Sequence, residues 1–377
     1  MRVCLFGTYQ RHHSANRLLR RALEAAGHEV EEMHEPLWEE TPDKAASYFG
    51  PASLARLGAR YALAGRRLAR RWRTREGAPP VVVVGFGGHL DVLLADRVCR
   101  PRRGLVFAPL VSLSETLVDD RRVFRPGSWR ARRLADLDRR AFAASDLVLT
   151  DTAAHAEYLS ELGVARETLA VWHLGFEPEF LPAPPPREGA ARILFYGRYL
   201  PLHGIETIVR AAALLGPYVE LVLLGSGPER GRVRALVDRI GLSVTWKDAV
   251  PLAALPDELS RAAVVLGVFG ASRKAAMVVP NKVYQAAAHG APLVTRDGPA
   301  LREVLVPGEH CLVCPPDDPP ALAAQVRALL ADPDRAARLG RAARAHVLEN
   351  FGPTRQARRL DAILGARFGT RAAAEVA

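Results

Sequence analysis

No run of 18 or more uncharged apolar residues occurs in the 377-residue chain, which excludes a membrane-spanning helix. The opening MRVCLFGTYQ passes straight into an apolar strand and lacks the charged and apolar regions of a signal peptide. A soluble, cytoplasmic protein is expected. Cysteine is scarce: four residues do not make a disulfide framework in a chain of this size. Cys311 and Cys314 form a C-x-x-C beside His310, yet no second Cys/His pair lies near them in sequence. EHCLVCPP alternates like a short strand entering a Pro-rich turn, so the cysteines read as small apolar residues and neither metal nor other cofactor is expected. Aromatic residues are not interleaved with the basic ones and no nucleic-acid motif appears, so nucleic acid is not an expected partner.

What is present points to a globular protein of two domains. Nearly half the residues are apolar and 25% are charged, and 377 residues exceed one ordinary core. The net charge is +11, carried almost wholly by arginine, which suggests an anionic partner such as a phosphorylated substrate or a membrane surface.

Strand patterns alternate with helical ones. The first half has strands at Arg2–Phe6, Val81–Phe86, Gly104–Ala108, Asp146–Thr150 and Leu169–Trp172, with an amphipathic helix at Ser14–Ala26. FLPAPPPREGA, Phe180–Ala190, is Pro-rich and ends in glycine, the composition of a linker. The rhythm then restarts with strands at Arg192–Tyr196, Val219–Leu224, Ser243–Trp246, Ala263–Val268 and Pro292–Thr295, and from Ala321 the chain is helical to about Arg367. The expected division is 1–180, a linker 181–190, a second domain 191–350, and a helix with a tail at 351–377 that packs back on the first domain. Both domains read as α/β, doubly wound parallel sheets.

Such sheets bind ligands at the carboxyl ends of their strands, which directs attention to three loops of the second half. Arg198 and His203 follow the strand ILFY, Gly225-Ser226-Gly227 follows ELVLL, and Arg273, Lys274, Asn281 and Lys282 follow AVVLGVFG. Each loop leads into a helix. Helix N-termini, free amides and mobile cations are what a diphosphate requires.

The ordered segments ILFYGRYLPLHGIETIVRAAALL, LVLLGSGPE and PNKVYQAAAHGAPLVT resemble the donor half of the family 4 glycosyltransferases. GFGGHLDVLLA, SLSETLVDDRR and LDRRAFAASDLVLTDTAAHAEYL resemble the acceptor half of a bacterial branch of that family. The resemblance covers about 350 residues and implies the GT-B fold, two Rossmann-like domains facing across a cleft. It implies retaining, metal-independent transfer of a sugar from a nucleotide diphosphate sugar to an acceptor hydroxyl. Arg198 and Lys282 then act on the diphosphate as the catalytic cations, and Gly7, His203, Gly225, Gly227, Lys274, Asn281 and Gln285 bind the donor. On the acceptor side stand Tyr9, Asn16, Arg17, His89, Asp119 and Arg122.

The chain departs from the family pattern in its carboxylates. Where many members carry two glutamates eight positions apart, Met277 and Gln285 stand here, and no acidic residue lies between Gly267 and Gly290. An inert homologue that binds sugar nucleotide or pairs with an active transferase is therefore an alternative, and a nucleotide-sugar hydrolase or epimerase is another. Leu54–Arg75 reads as a basic amphipathic helix. That pattern fits peripheral contact with an anionic membrane and a lipid-linked acceptor, and it fits equally an apolar stripe against the domain core.

Overall fold

The computed structural model describes residues 1–38, 51–182 and 191–369. The linker expected at 181–190 lies, from residue 183 on, outside the described residues, as does the tail from 370. The first sheet contains β1 (Arg2–Gly7), β2 (Glu29–His34), β3 (Val81–Val84), β4 (Gly104–Phe107), β5 (Leu147–Thr150) and β6 (Leu169–Val171) in the order β2-β1-β3-β4-β5-β6. The second contains β7 (Arg192–Tyr196), β8 (Glu220–Leu224), β9 (Val244–Lys247), β10 (Val264–Leu266), β11 (Leu293–Arg296) and β12 (Leu312–Cys314) in the order β12-β11-β10-β7-β8-β9. Every pairing is parallel, with Cys4 opposite Val82 in the first sheet and Leu194 opposite Val265 in the second.

Parallel strands covered on both faces must be apolar along their whole length. β3 reads VVVV and every residue of it is buried. β2, EVEEMH, breaks that rule and was not anticipated from the pattern. It lies at the sheet edge, where charge is tolerated and discourages pairing with another chain. There Glu31 pairs with Arg75 and Glu32 with Arg11 and Arg20.

Two apolar layers flank each sheet. The helical end of the chain is three helices, Pro319–Ala331, Pro333–Phe351 and Pro353–Phe368, each begun by a proline whose missing N–H costs nothing in a first turn. The last of them returns to the first domain, where Leu360, Leu364 and Phe368 pack with Leu18, Leu19 and Leu23 of the Ser14–Ala25 helix. The chain thus crosses between the domains twice. The crossings touch: a Cβ on Gly175 would stand 2.5 Å from the Phe351 carbonyl oxygen, and the Trp172 indole donates to the Gln356 carbonyl at 3.1 Å.

Candidate functional site

Strand order reverses between β1 and β3 in one sheet and between β7 and β10 in the other, and crevices open outside the carboxyl ends of strands at such points. The two crevices face each other. Together they form a cleft of about 470 Å³ lined from the first domain by Tyr9, His13, Phe86, Thr116, Asp120 and Arg121, and from the second by Arg198, His203, Glu229, Lys274, Pro280 and Asn281.

Pro280 fixes the entry to the Asn281–His289 helix, and Gly290, at φ 73°, ends it. Lys282 sits in the first turn and is buried, its Nζ 3.8 Å from the centroid of the Phe195 ring and without a hydrogen-bond acceptor. Burial holds its pKa well below the ordinary lysine range. An ammonium in this position wants an anion. Arg198, in the loop after β7, is exposed and lines the cleft. Asn281 lines it too, with an Nδ2 that has no acceptor.

His203 is buried and donates from Nδ1 to the Arg198 carbonyl. Burial, with Lys282 as a second cause, pushes its pKa well below the usual imidazole value. The ring is therefore neutral at pH 7 with Nε2 left as an acceptor, so it adds no positive charge. Gly204, at φ 61°, follows it, and a Cβ there would stand 2.6 Å from the Phe269 carbonyl carbon.

Several residues expected at the ligand do other work. Gly7, at φ 135°, lies where a Cβ would meet the Asp91 carboxylate at 2.5 Å, and it is not among the cleft-lining residues. Gly225 and Gly227 allow their loop to lie on the loop after β7: a Cβ would stand 2.2 Å from the Gly197 carbonyl oxygen or 2.4 Å from the Tyr199 nitrogen. The side chain that this loop sends into the cleft is Glu229, the carboxylate following Gly-Ser-Gly-Pro.

Gln285 faces away from the cleft. Its Oε1 accepts from the Tyr196 hydroxyl at 3.1 Å and its Nε2 donates to Glu177 Oε2 at 2.7 Å. Glu177, fully buried, accepts in turn from Arg17 Nη2 at 2.8 Å, so Arg17 is also committed to this internal chain. Asn16 bridges two loops, donating to the Gln10 carbonyl at 2.9 Å and accepting from the Phe86 N–H at 2.8 Å. The Tyr9 hydroxyl donates to Glu32 at 2.6 Å while the residue lines the cleft. His89 begins its helix without capping it. Its ring is buried edge-on to Phe107, with Nε2 3.2 Å from Asp138 Oδ1. Burial works to raise the Asp138 pKa, but hydrogen bonds from His89 and from the Leu113 and Ser114 amides outweigh it and hold the carboxyl low.

Asp119 and Arg122, expected on the acceptor side, are not among the cleft-lining residues; their neighbours Asp120 and Arg121 are. Glu115–Asp120 forms a π-helix, in which the Arg121 N–H bonds the Thr116 carbonyl at 3.0 Å. The wider turn sends Asp120 and Arg121 into the cleft and leaves Asp119 and Arg122 exposed. Nothing in SLSETLVDDRR marks a wider turn.

Two carboxylates of the first domain meet the segment that follows β10. Lys274 is buried between Thr116 Oγ1 and Glu115 Oε2, the latter at 3.2 Å, and Ser272 donates to Asp120 Oδ1 at 3.0 Å. Glu115 Oε1 and Asp120 Oδ2 have no donor. Burial raises the pKa of both carboxyls, more than Lys274 lowers them. Met277 packs into an apolar cluster of the first domain, making it a domain contact. Among the described residues no cluster of three or more His, Cys, Asp or Glu could hold a metal ion. Cys311 and Cys314 are buried, and burial pushes both thiols up to about 12.

Residues 190–332 match the family model described as Glycosyl transferases group 1. A glycogen synthase of Mycobacterium tuberculosis is 29% identical over 225 residues, 55% of this chain and 51% of that protein. The O-antigen biosynthesis protein RfbC of Myxococcus xanthus is 30% identical over 182 residues, 44% of this chain and 13% of its own length. The chain thus spans about half the length of the glycogen synthase and far less of RfbC. Among solved structures, the sucrose-phosphate synthase of Thermosynechococcus elongatus superposes with a TM-score of 0.75 at 19% identity, covering 98% of this chain and 99% of that one. Anabaena HepE in complex with UDP-glucose superposes with a TM-score of 0.72 at 13% identity over 97% and 100% of the two chains. The fold is GT-B, and its second domain carries the group 1 glycosyltransferase match.

Proposed function

We propose that the protein is a retaining glycosyltransferase that moves a sugar from a nucleotide diphosphate sugar to an acceptor hydroxyl. The observation that carries this reading is the buried Lys282 amine, which has no acceptor and stands in the first turn of a helix, its Nζ 3.3 Å from where a Cβ on Gly197 would lie, next in sequence to the exposed, cleft-lining Arg198. A diphosphate there would receive the helix-end amides, the positive end of the helix dipole and two cations. HepE, which shares the fold, binds UDP-glucose.

In this reading the bond between the anomeric carbon and the diphosphate oxygen breaks, and negative charge grows on the departing phosphate. Arg198 and Lys282 stabilise that charge where it develops, and these fixed cations do so without a metal. The acceptor oxygen bonds the anomeric carbon on the face the diphosphate leaves, and the acceptor proton passes to a phosphate oxygen. Glu229, which lines the cleft, holds the ribose hydroxyls. Asp120 holds the sugar hydroxyls, in place of the glutamate absent at Met277.

The inert-homologue reading drew its force from the missing carboxylates. Asp120, in the cleft wall, weakens it. The test is thermal unfolding with uridine, guanosine, adenosine and thymidine diphosphates. One class is expected to stabilise the protein, by about 2.7 kcal/mol at a hundredfold excess over its Kd. A panel that leaves the Tm unmoved refutes the donor site. Nucleotide binding without sugar transfer to any acceptor pool favours the inert partner, and free sugar as product favours a hydrolase.

A further inference from the structure

Beside the cleft, in the first domain, lies a second cavity of about 420 Å³. Its walls include Leu57, Tyr61, Leu113, Leu117, Leu134 and Leu137. Protein interiors are packed to crystal density, so a void of this size walled by leucine is not a product of ordinary packing, and the volume lies in the range of small-molecule sites. Of the polar groups in its lining, Asp91 accepts from the Thr8 N–H at 2.8 Å and from the Tyr61 hydroxyl at 3.0 Å, and His89 stands with Nε2 3.2 Å from Asp138 Oδ1, so the leucine walls are left to recognise an occupant chiefly by apolar contact.

Two further observations say what that occupant is. Trp38, Gly87, Asp91, Leu113 and Leu117 line both the cavity and the cleft, so one space opens into the other. At the outer mouth Leu54, Leu90 and Trp129 are exposed, 64% in the case of Trp129, with Arg130 and Arg133 beside them. A soluble surface seldom gathers apolar side chains in this way without a use for them.

We propose that this cavity holds the body of an apolar, hydroxyl-bearing acceptor whose hydroxyl faces the cleft. The proposal rests on the transferase reading for the reaction: the sugar–diphosphate C–O bond breaks, a C–O bond to this hydroxyl forms, and the hydroxyl proton leaves with the diphosphate. Its shared chemistry, an apolar body carrying a hydroxyl, is met by an alkyl chain or by a fused aromatic alcohol.

Gly58 supplies the test. It lines the cavity from an exposed position on the Pro51–Arg73 helix, and a Cβ on it would meet nothing within 4 Å. A large side chain there fills the cavity at little risk to folding. The fluorescent probe N-phenyl-1-naphthylamine is titrated into the full chain, with n-decyl β-glucoside and 4-methylumbelliferone as competitors. Wild type is expected to bind the probe, and Gly58→Trp to bind it at least tenfold more weakly while keeping its stabilisation by nucleotide diphosphate. Displacement by the alkyl glucoside assigns an aliphatic body, and displacement by the umbelliferone an aromatic one. Equal binding by wild type and variant, or no binding by wild type, overturns the proposal. Probe binding that Gly58→Trp abolishes, in a protein that no nucleotide stabilises, sustains the cavity and removes the donor reading instead.

Discussion

Replacing Lys282 by methionine should stabilise the free protein and abolish nucleotide binding together. A buried donor without an acceptor costs roughly 1–3 kcal/mol, more when charged. The Phe195 ring 3.8 Å from Nζ returns about 2 kcal/mol of that through cation–π attraction while the amine is protonated, the figure for a desolvated pair. Methionine fills similar volume with no polar hydrogen to satisfy, so a net gain of up to about 1 kcal/mol is expected, and a Tm raised by up to about 4 °C. The gain depends on pH in a fixed direction. Because the folded pKa lies below the unfolded one, the unfolded chain binds more protons between the two values, and wild-type stability rises with pH across that window. The variant should lack that rise. Differential scanning calorimetry from pH 6 to 10, with and without the stabilising nucleotide, measures both effects. Arg198→Ala is the control: the residue is exposed and shows no ion pair among the described residues, so its loss should leave the free Tm unchanged while removing the nucleotide shift. A Lys282→Met protein that melts below wild type, or that keeps the nucleotide shift, would refute the reasoning.

Asp120→Asn should leave nucleotide affinity intact and lower kcat/KM for sugar transfer, since the amide keeps an Oδ1 acceptor for Ser272 and loses the carboxylate charge proposed to hold the sugar. The Asp120 carboxyl is held above the usual range by burial, and its ionised form is the one proposed to act. Wild-type activity should therefore rise with pH through that raised value, and the acid limb should disappear from the variant's profile. Glu177→Ala should leave the Gln285 amide and the Arg17 guanidinium without their shared partner, at a cost of about 1–3 kcal/mol in urea unfolding.

How much of this was legible in the sequence depends on whether a signal is local. Apolar runs such as VVVV and ELVLL announce buried parallel strands because burial on both faces acts on every residue in the run. β2 was missed because an edge strand is released from that demand. The placement of Lys282 could be read because Pro280 and Gly290 bracket its helix. Gln285 and Asn16 could not be placed, since their partners Glu177 and Phe86 are 108 and 70 residues away and meet them only once the sheets form. Which residues of Asp119–Arg122 face the cleft was not legible either, because the π-helical turn that orients them leaves no mark in the sequence. The glycines were legible as necessary, but their reason is the close approach of one backbone to another.

The two contacting crossings between the domains carry a mechanical consequence. With Gly175 against Phe351 and Trp172 tied to Gln356, both passages of the chain lie together and act as one pivot. Translation of one domain past the other would tear that junction, whereas rotation about it leaves the junction whole. The motion left to the molecule is that of a jaw. Its teeth are the pairs Lys274 with Glu115, Ser272 with Asp120, and Arg273 with Glu161. Every opening must part these polar contacts, which water can replace, and withdraw Met277 from the apolar layer of the first domain, which water cannot.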